Sequence, residues 1–251
     1  MRTTAILNLK GGVAKTVTTV NMAAILARDY SFRVMVVDAD SQANTTEFFS
    51  GSTRKTATLA DMLRRIDVNN PVQFTNFDGV ELIAADDTLM DLDLSSIKTD
   101  GVDVQCLRKF LAGQKNAFDY VLIDCPPAFN AASAAALLAA DDVIIPIKLD
   151  AFSLRGMANL MRQIKNMQAI NPALRLAGLL PSMVYKSASI LEAKATLEQS
   201  GLPVFPPIRR TAKVDDMTFA QEPLISSSPK SAACVDYRRF VKEYLGGESN
   251  G

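Results

Sequence analysis

The opening of this chain, "TTAILNLKGGVAKTVTTVNMAAILA", leaves few folds open to it. A short apolar run, Thr3–Leu9, meets a glycine pair at once. Residues 16–28 then carry helical spacing, with Val17, Val20, Ala23, Ala24 and Ala27 sharing one face. A buried strand turning through glycines into a helix is the frame of a phosphate-binding loop. The usual pattern G-x-x-x-x-G-K-[ST] is nevertheless broken twice. Counting back from Lys15, its glycine positions hold Leu9 and Ala14.

Such a loop works through inward-pointing backbone N–H groups, the partial positive charge of a helix N-terminus, and a lysine that reaches the β- and γ-phosphates. Gly11 and Gly12 still supply permissive backbone, and the cradle runs through Val13, Ala14 and on to Val17. Lys15 stands where the phosphates need it, and Thr16 where a hydroxyl can meet Mg²⁺. Ala14 puts a β-carbon where glycine is usual. A near-helical backbone is expected there, because a positive φ would be strained.

The rest of the chain repeats the theme. "RVMVVDAD" (33–40), "GVELIAA" (79–85), "DYVLIDCPP" (119–127) and "DVIIPI" (142–147) read as buried strands, followed by "LRLAGLLPSMV" (174–184) and "LPVFPPI" (202–208). Helices are expected over 131–140, 154–170 and 189–199. Continuous apolar strands alternating with helices predict an α/β fold, a mostly parallel twisted sheet with helices on both faces in three layers. Ligands in such sheets sit beyond the carboxyl ends of the strands. Those ends carry Lys10–Thr16, Asp38–Asp40 and Asp124. No repeat or composition break divides the chain, so residues 1–245 are read as one domain and 246–251, "GGESNG", as a flexible tail.

Bulk properties narrow the chemistry. The formal net charge is +0, so binding to nucleic acid needs a local basic patch. There is no histidine, which removes the commonest general base. Cys106, Cys125 and Cys234 are too scattered for a zinc site. No secretory pattern opens the sequence, and the longest apolar stretch, from Ala128, falls short of a bilayer span. A cytoplasmic protein is expected.

"NLKGGVAKTVTTVNMA" resembles the deviant Walker A motif of the ParA/MinD family of P-loop ATPases. The resemblance implies ATP or ADP with Mg²⁺ as cofactors, and it assigns the early lysine, Lys10, to phosphates bound by a second subunit, so that ATP joins a sandwich homodimer. "VVDADSQANTT" is similar to the family's switch region, which implies that Asp40 orients the attacking water and Asp38 supports the metal. "VLIDCPPAFN" is similar to its Walker B strand, which implies that Asp124 holds Mg²⁺ through water. The segments 177–185 and 205–225 resemble the family's last strands and base-contacting loop, implying Ser182, Met183, Pro207 and Arg209 as base contacts. Departures are Ala14, Val17 and Ser41.

The resemblance leaves three kinds of partner open. ParA-like members bind DNA without sequence preference when dimerised by ATP, and are stimulated by a ParB-like protein. In them the positions matching Arg210 and Lys213 contact the DNA backbone, and Lys186 lies nearby in this chain. MinD-like members use a C-terminal amphipathic helix on membranes; here "VDYRRFVKEYL" is expected to pack on the core instead. A metabolic P-loop enzyme is the third outcome. The short DNA-partition type of ATPase, nucleoid-associated when ATP-bound and without stable membrane insertion, is the favoured reading.

Overall fold

The computed structural model describes residues 1–50, 57–66 and 70–248. Strands β1 (Arg2–Ile6), β2 (Val34–Asp38), β3 (Val72–Phe74), β4 (Val80–Ile83), β5 (Tyr120–Asp124), β6 (Asp142–Lys148) and β7 (Arg175–Ser182) form one sheet. Their order is β3-β4-β2-β5-β1-β6-β7. Every pairing is parallel except β3 with β4, which is antiparallel.

The central strands are mostly apolar because both faces are covered. Along β2, Val34 and Val36 enter one core while Met35 and Val37 enter the other. The first face carries α1 (Lys15–Tyr30), the short α2 (Asn44–Phe49), and elements from the far end of the sequence. The second carries α3 (Leu59–Leu63), then, beyond the single turn α4 (Ser96–Thr99), α5 (Cys106–Ala112), α6 (Ala131–Ala139), α7 (Ala151–Gln168) and α8 (Ala188–Glu198). The chain then returns to the first face through α9 (Ala212–Ala220), α10 (Leu224–Ser227) and α11 (Ala232–Glu248). This is the three-layer α/β fold expected from the sequence.

Three expectations change. The stretch 202–208 is not a strand of the sheet: it makes one isolated bridge, Val204 with Leu179, and a second, Arg209 with Val184, follows just past it. Pro203, Pro206 and Pro207 lack the N–H groups a continuous ladder requires. The three-residue edge strand β3 was not foreseen. At the C-terminus, α11 continues through Gly246 and Gly247 to Glu248, so helix replaces the first half of the expected tail; residues 249–251 lie outside the described residues.

The apolar face of α11 packs on the core as expected. Ala233, Cys234, Tyr237, Phe240, Val241 and Tyr244 are buried against the α1 side of the sheet, while Val235 is exposed. The Tyr244 hydroxyl meets Thr4 Oγ1 at 2.7 Å and Asp142 Oδ2 at 3.1 Å. Arg2 and Arg175 pair with the same buried Asp142, neutralising it at the N-terminal ends of the strands. No helix among the described residues is long and apolar enough to cross a membrane.

Candidate functional site

The register places Asp38 beside Asp124 at the carboxyl ends of β2 and β5, and Ile6 beside Asp124 where β1 gives way to the glycine loop. Asn8 fixes the loop's start. Its amide donates to the Pro146 carbonyl at 2.8 Å, and its Oδ1 accepts the Lys10 N–H at 3.0 Å. Gly12 has φ 69°, and a β-carbon on it would meet nothing within 4 Å. Its requirement for glycine is therefore conformational rather than spatial.

Ala14 corrects the sequence expectation. Its φ of 71° and ψ of 34° are left-handed, not helical. It is the N-cap of α1, and no side chain caps that helix start. Residues alternating in hand turn successive N–H groups toward one side, the geometry of an anion-binding nest, and that demand fixes the backbone here despite the methyl group. An L-residue in this conformation costs about 1–2 kcal/mol.

The two loop lysines have different partners. Lys15 is 7% exposed, and its Nζ donates to the Lys10 carbonyl at 3.2 Å. Burial lowers its pKa, with the Asp124 carboxylate the main opposing influence. Lys10 Nζ reaches Asp150 Oδ1 and Oδ2 at 2.9 and 2.8 Å and Ser153 Oγ at 3.1 Å, at the start of α7. Asp150 also caps α7 by accepting the Ser153 N–H at 2.8 Å. Burial pushes the Asp150 carboxyl up, but Lys10 and Ser153 outweigh it and hold it down to about 2.

Asp124 and Asp38 are both buried. Asp124 Oδ2 accepts the hydroxyls of Thr16 at 2.7 Å and Thr45 at 2.6 Å. Its Oδ1 is buried with no hydrogen-bond partner among the described residues. Asp38 Oδ1 accepts the Asp40 N–H at 3.1 Å, and its Oδ2 takes both the N–H and the hydroxyl of Thr46 at 2.8 Å. Asp38 thus braces the following loop from within. Asp40 lies in that loop, less buried, and accepts the Gln42 N–H at 3.0 Å. Desolvation dominates the titration of the buried pair and raises both carboxyls, to about 7 for Asp38 and about 6 for Asp124.

This donor set suits magnesium. Among the described residues no three carboxylate, cysteine or histidine groups cluster to make an all-protein cage. A hard cation that keeps several waters and is held by one or two oxygen ligands plus phosphates needs no such cage. The Thr16 hydroxyl and the orphaned Asp124 Oδ1 are the oxygens this chain offers it.

Beside the loop lies a cleft of about 290 Å³, walled by Ala14 and Val17, by Ser182 at the end of β7 with Met183 and Tyr185 just past it, and by Ile208–Thr211, with Tyr237 of α11 lining it as well. It gathers five of the expected contacts, Ala14, Val17, Ser182, Met183 and Arg209. Pro207 is not in the lining; the neighbouring Ile208 is. Arg209 is held by Asp236, with its Nε on Oδ2 at 2.7 Å and Nη2 on Oδ1 at 2.8 Å. Met183, with φ 57°, is a second left-handed non-glycine residue at the site.

Arg210 and Lys186 are exposed on adjoining segments at the cleft's rim, joined by the Arg210 N–H to Val184 carbonyl bond of 2.9 Å. Lys213, on α9, is paired with Asp216 at 2.8 Å. Thr45, Thr46, Asp150, Ser153 and Tyr237 were not foreseen. Their positions depend on strand order, and the only local signal was the threonine pair two residues past the Gln42–Ala43 turn.

Comparison with known proteins agrees with this geometry. The family model described as "AAA domain" matches residues 1–176. The chromosome partitioning protein ParA of Caulobacter vibrioides is 31% identical over 99% of this chain and 95% of its own. Cobyrinic acid a,c-diamide synthase of Mycobacterium smegmatis, solved with bound ADP and magnesium, superposes with a TM-score of 0.83 at 29% identity, covering 100% of this chain and 96% of that one. McdA of Cyanothece in its apo form gives 0.86 at 24% identity, covering 98% and 100%, a likeness of fold.

Proposed function

From the premise that this chain belongs to the ParA/MinD family of P-loop ATPases, we propose that it is a DNA-partition ATPase of the short ParA type. It binds ATP with Mg²⁺, dimerises face to face across two nucleotides, binds DNA without sequence preference, and hydrolyses ATP slowly until a ParB-like partner accelerates turnover. The observation that carries the reading is the convergence of Lys15, Thr16, Asp38, Asp40 and Asp124 around one uncapped helix start.

The loop N–H groups and the α1 terminus receive the phosphates, and Lys15 exchanges the Lys10 carbonyl for phosphate oxygens. Thr16 and Asp124 would hold the metal, which would supply positive charge to offset the phosphates. Asp40, held by the Asp38 brace, orients the attacking water in a chain that has no histidine for the task. The base occupies the cleft between Val17, Met183 and Ile208. Lys10 leaves Asp150 and supplies positive charge to the partner's phosphates, as an arginine finger does in trans. Arg210, Lys186 and Lys213, doubled in the dimer, meet the DNA backbone in a salt-sensitive way.

The likeness to an ADP- and magnesium-bound diamide synthase at 29% identity favours a metabolic P-loop enzyme as the second reading. The membrane-binding reading has less support: the bulky apolar residues of α11, among them Tyr237, Phe240 and Val241, are already in the core.

The deciding experiment is a gel shift with random DNA, alongside flotation with anionic liposomes, each with ATP and with ADP. ATP-dependent, salt-sensitive DNA binding supports partition. Binding to neither turns the assignment to metabolism. Lys15→Ala should abolish nucleotide binding, whereas Lys10→Ala should bind ATP and stay monomeric in sedimentation. A Lys10→Ala protein that dimerises normally removes the trans-lysine mechanism.

A further inference from the structure

The loop that follows β2 is anchored by two adjacent threonines, and each grips a different strand-end carboxylate. Thr46 closes the loop on its own strand: its N–H and hydroxyl bind Asp38, and its Oγ1 accepts the Ala85 N–H at 2.9 Å. Thr45 reaches sideways instead. Fully buried, it donates to Asp124 Oδ2 at 2.6 Å, the same oxygen that receives Thr16 from the phosphate loop. The two hydroxyls converge on one oxygen and leave Oδ1 as the carboxylate's remaining acceptor. Asp40 sits just upstream on the same tether, with its carbonyl accepting the Ala43 N–H at 2.9 Å and Ala43 leading directly into α2.

We propose that Thr45 is a positioning residue for hydrolysis: its hydroxyl sets the rotation of the Asp124 carboxylate, and through that contact it links the Asp40 loop to the metal site. The inference rests on the ATPase reading given above. A buried carboxylate that accepts two hydroxyls through one oxygen cannot turn without breaking both bonds, so its second oxygen has a fixed direction. Without Thr45 one bond remains, and the side-chain tie between the Asp40 loop and the phosphate loop is gone. Partners of this kind behind a metal site typically change metal affinity or activity about 10- to 100-fold.

The substitution is Thr45→Val, which keeps the shape and removes the hydroxyl, with Thr45→Ser as the conservative control and Thr45→Ala as a second deletion that adds no bulk. Two quantities are read: steady-state ATP hydrolysis, and the Mg²⁺ dependence of ADP binding by calorimetry, which needs no turnover. The expected result is a kcat about 10- to 100-fold lower with KM for ATP within about twofold, a several-fold rise in the Mg²⁺ needed for half-maximal ADP binding, and restoration by serine. Thr45→Val or Thr45→Ala with wild-type kcat and Mg²⁺ dependence overturns the inference. So does a loss shared equally by all three variants, which marks a packing role alone. Wild-type protein that shows no Mg²⁺-dependent ADP binding sinks the ATPase reading itself, a separate outcome.

Discussion

Replacing Ala14 with glycine should stabilise the protein, although it removes a methyl group from the wall of the base cleft. Ala14 caps α1 at φ 71°, where an L-residue costs about 1–2 kcal/mol and glycine pays no such penalty. Glycine also makes the better N-cap. Against this, glycine adds freedom to the unfolded chain worth about 0.4–1 kcal/mol. The balance is a gain of about 0.5–1 kcal/mol. A chain of this length moves about 2–4 °C per kcal/mol, so the midpoint should rise by about 2 °C. Gly12→Ala is the reciprocal change: φ is 69° and no atom lies within 4 Å of the new β-carbon, so its cost is conformational, about 1 kcal/mol in the other direction. Scanning calorimetry of the nucleotide-free proteins measures both. Finding Ala14→Gly less stable than the parent, or Gly12→Ala neutral, would refute the left-handed geometry assigned to this loop.

Asp150→Asn keeps the helix cap but weakens the hold on Lys10. The pair is partly exposed and worth at most about 1 kcal/mol. Each protomer of the dimer releases one such pair, so ATP-driven dimerisation followed by sedimentation velocity should tighten by up to about 30-fold, about fivefold per lysine, and an unchanged or weaker dimer counts against Lys10 as the trans residue. Asp40→Ala should leave ATP binding intact and lengthen the lifetime of the dimer; rapid hydrolysis by this variant would remove Asp40 from the water-positioning role. The metal-free protein should lose stability as pH climbs from about 4, the unfolded carboxyl value, to about 7. Burial raises the Asp38 and Asp124 carboxyls to about 7 and about 6, so the folded state holds protons the unfolded chain has released, and that contribution fades as pH passes through those values. Asp150, held at about 2, does not titrate in this window. Saturating Mg²⁺ and ADP should flatten the slope in thermal melts, and a midpoint rising with pH in the apo protein contradicts the assignment. Phe240→Ala should cost about 3–5 kcal/mol, because this ring is fully buried against Phe205; a loss under 1 kcal/mol in urea unfolding would mean that α11 is dispensable.

Much of this could be read from the sequence because of how the sheet is covered. β2, β5 and β6 are buried on both faces, so each appears as an unbroken apolar run, and the aspartates that end β2 and β5 mark where the ligand belongs. β3 carries no such signal, since its three residues lie on a half-exposed edge with Phe74 open to solvent. The run 202–208 looked like a strand by hydropathy, but its prolines limit it to one isolated bridge. The placement of Lys15 and Thr16 at the start of α1 was legible because a loop's spacing fixes it locally. Asp150 and Thr45 were not, because Lys10 lies 140 residues from the first and Asp124 lies 79 residues from the second. Ala14 differs for the opposite reason: its side chain permits a helical backbone, and the loop's alternation of hand overrides that preference.

The docking of α11 on α1 brings the two ends of the sequence to one cleft. Tyr237 lines it, and Asp236 orients the Arg209 that helps wall it, so the far end of the sequence finishes a cavity whose first wall is Ala14. A chain that stops short of Ala232 keeps the loop lysine but loses Tyr237 from the cleft and the Asp236 carboxylate from Arg209.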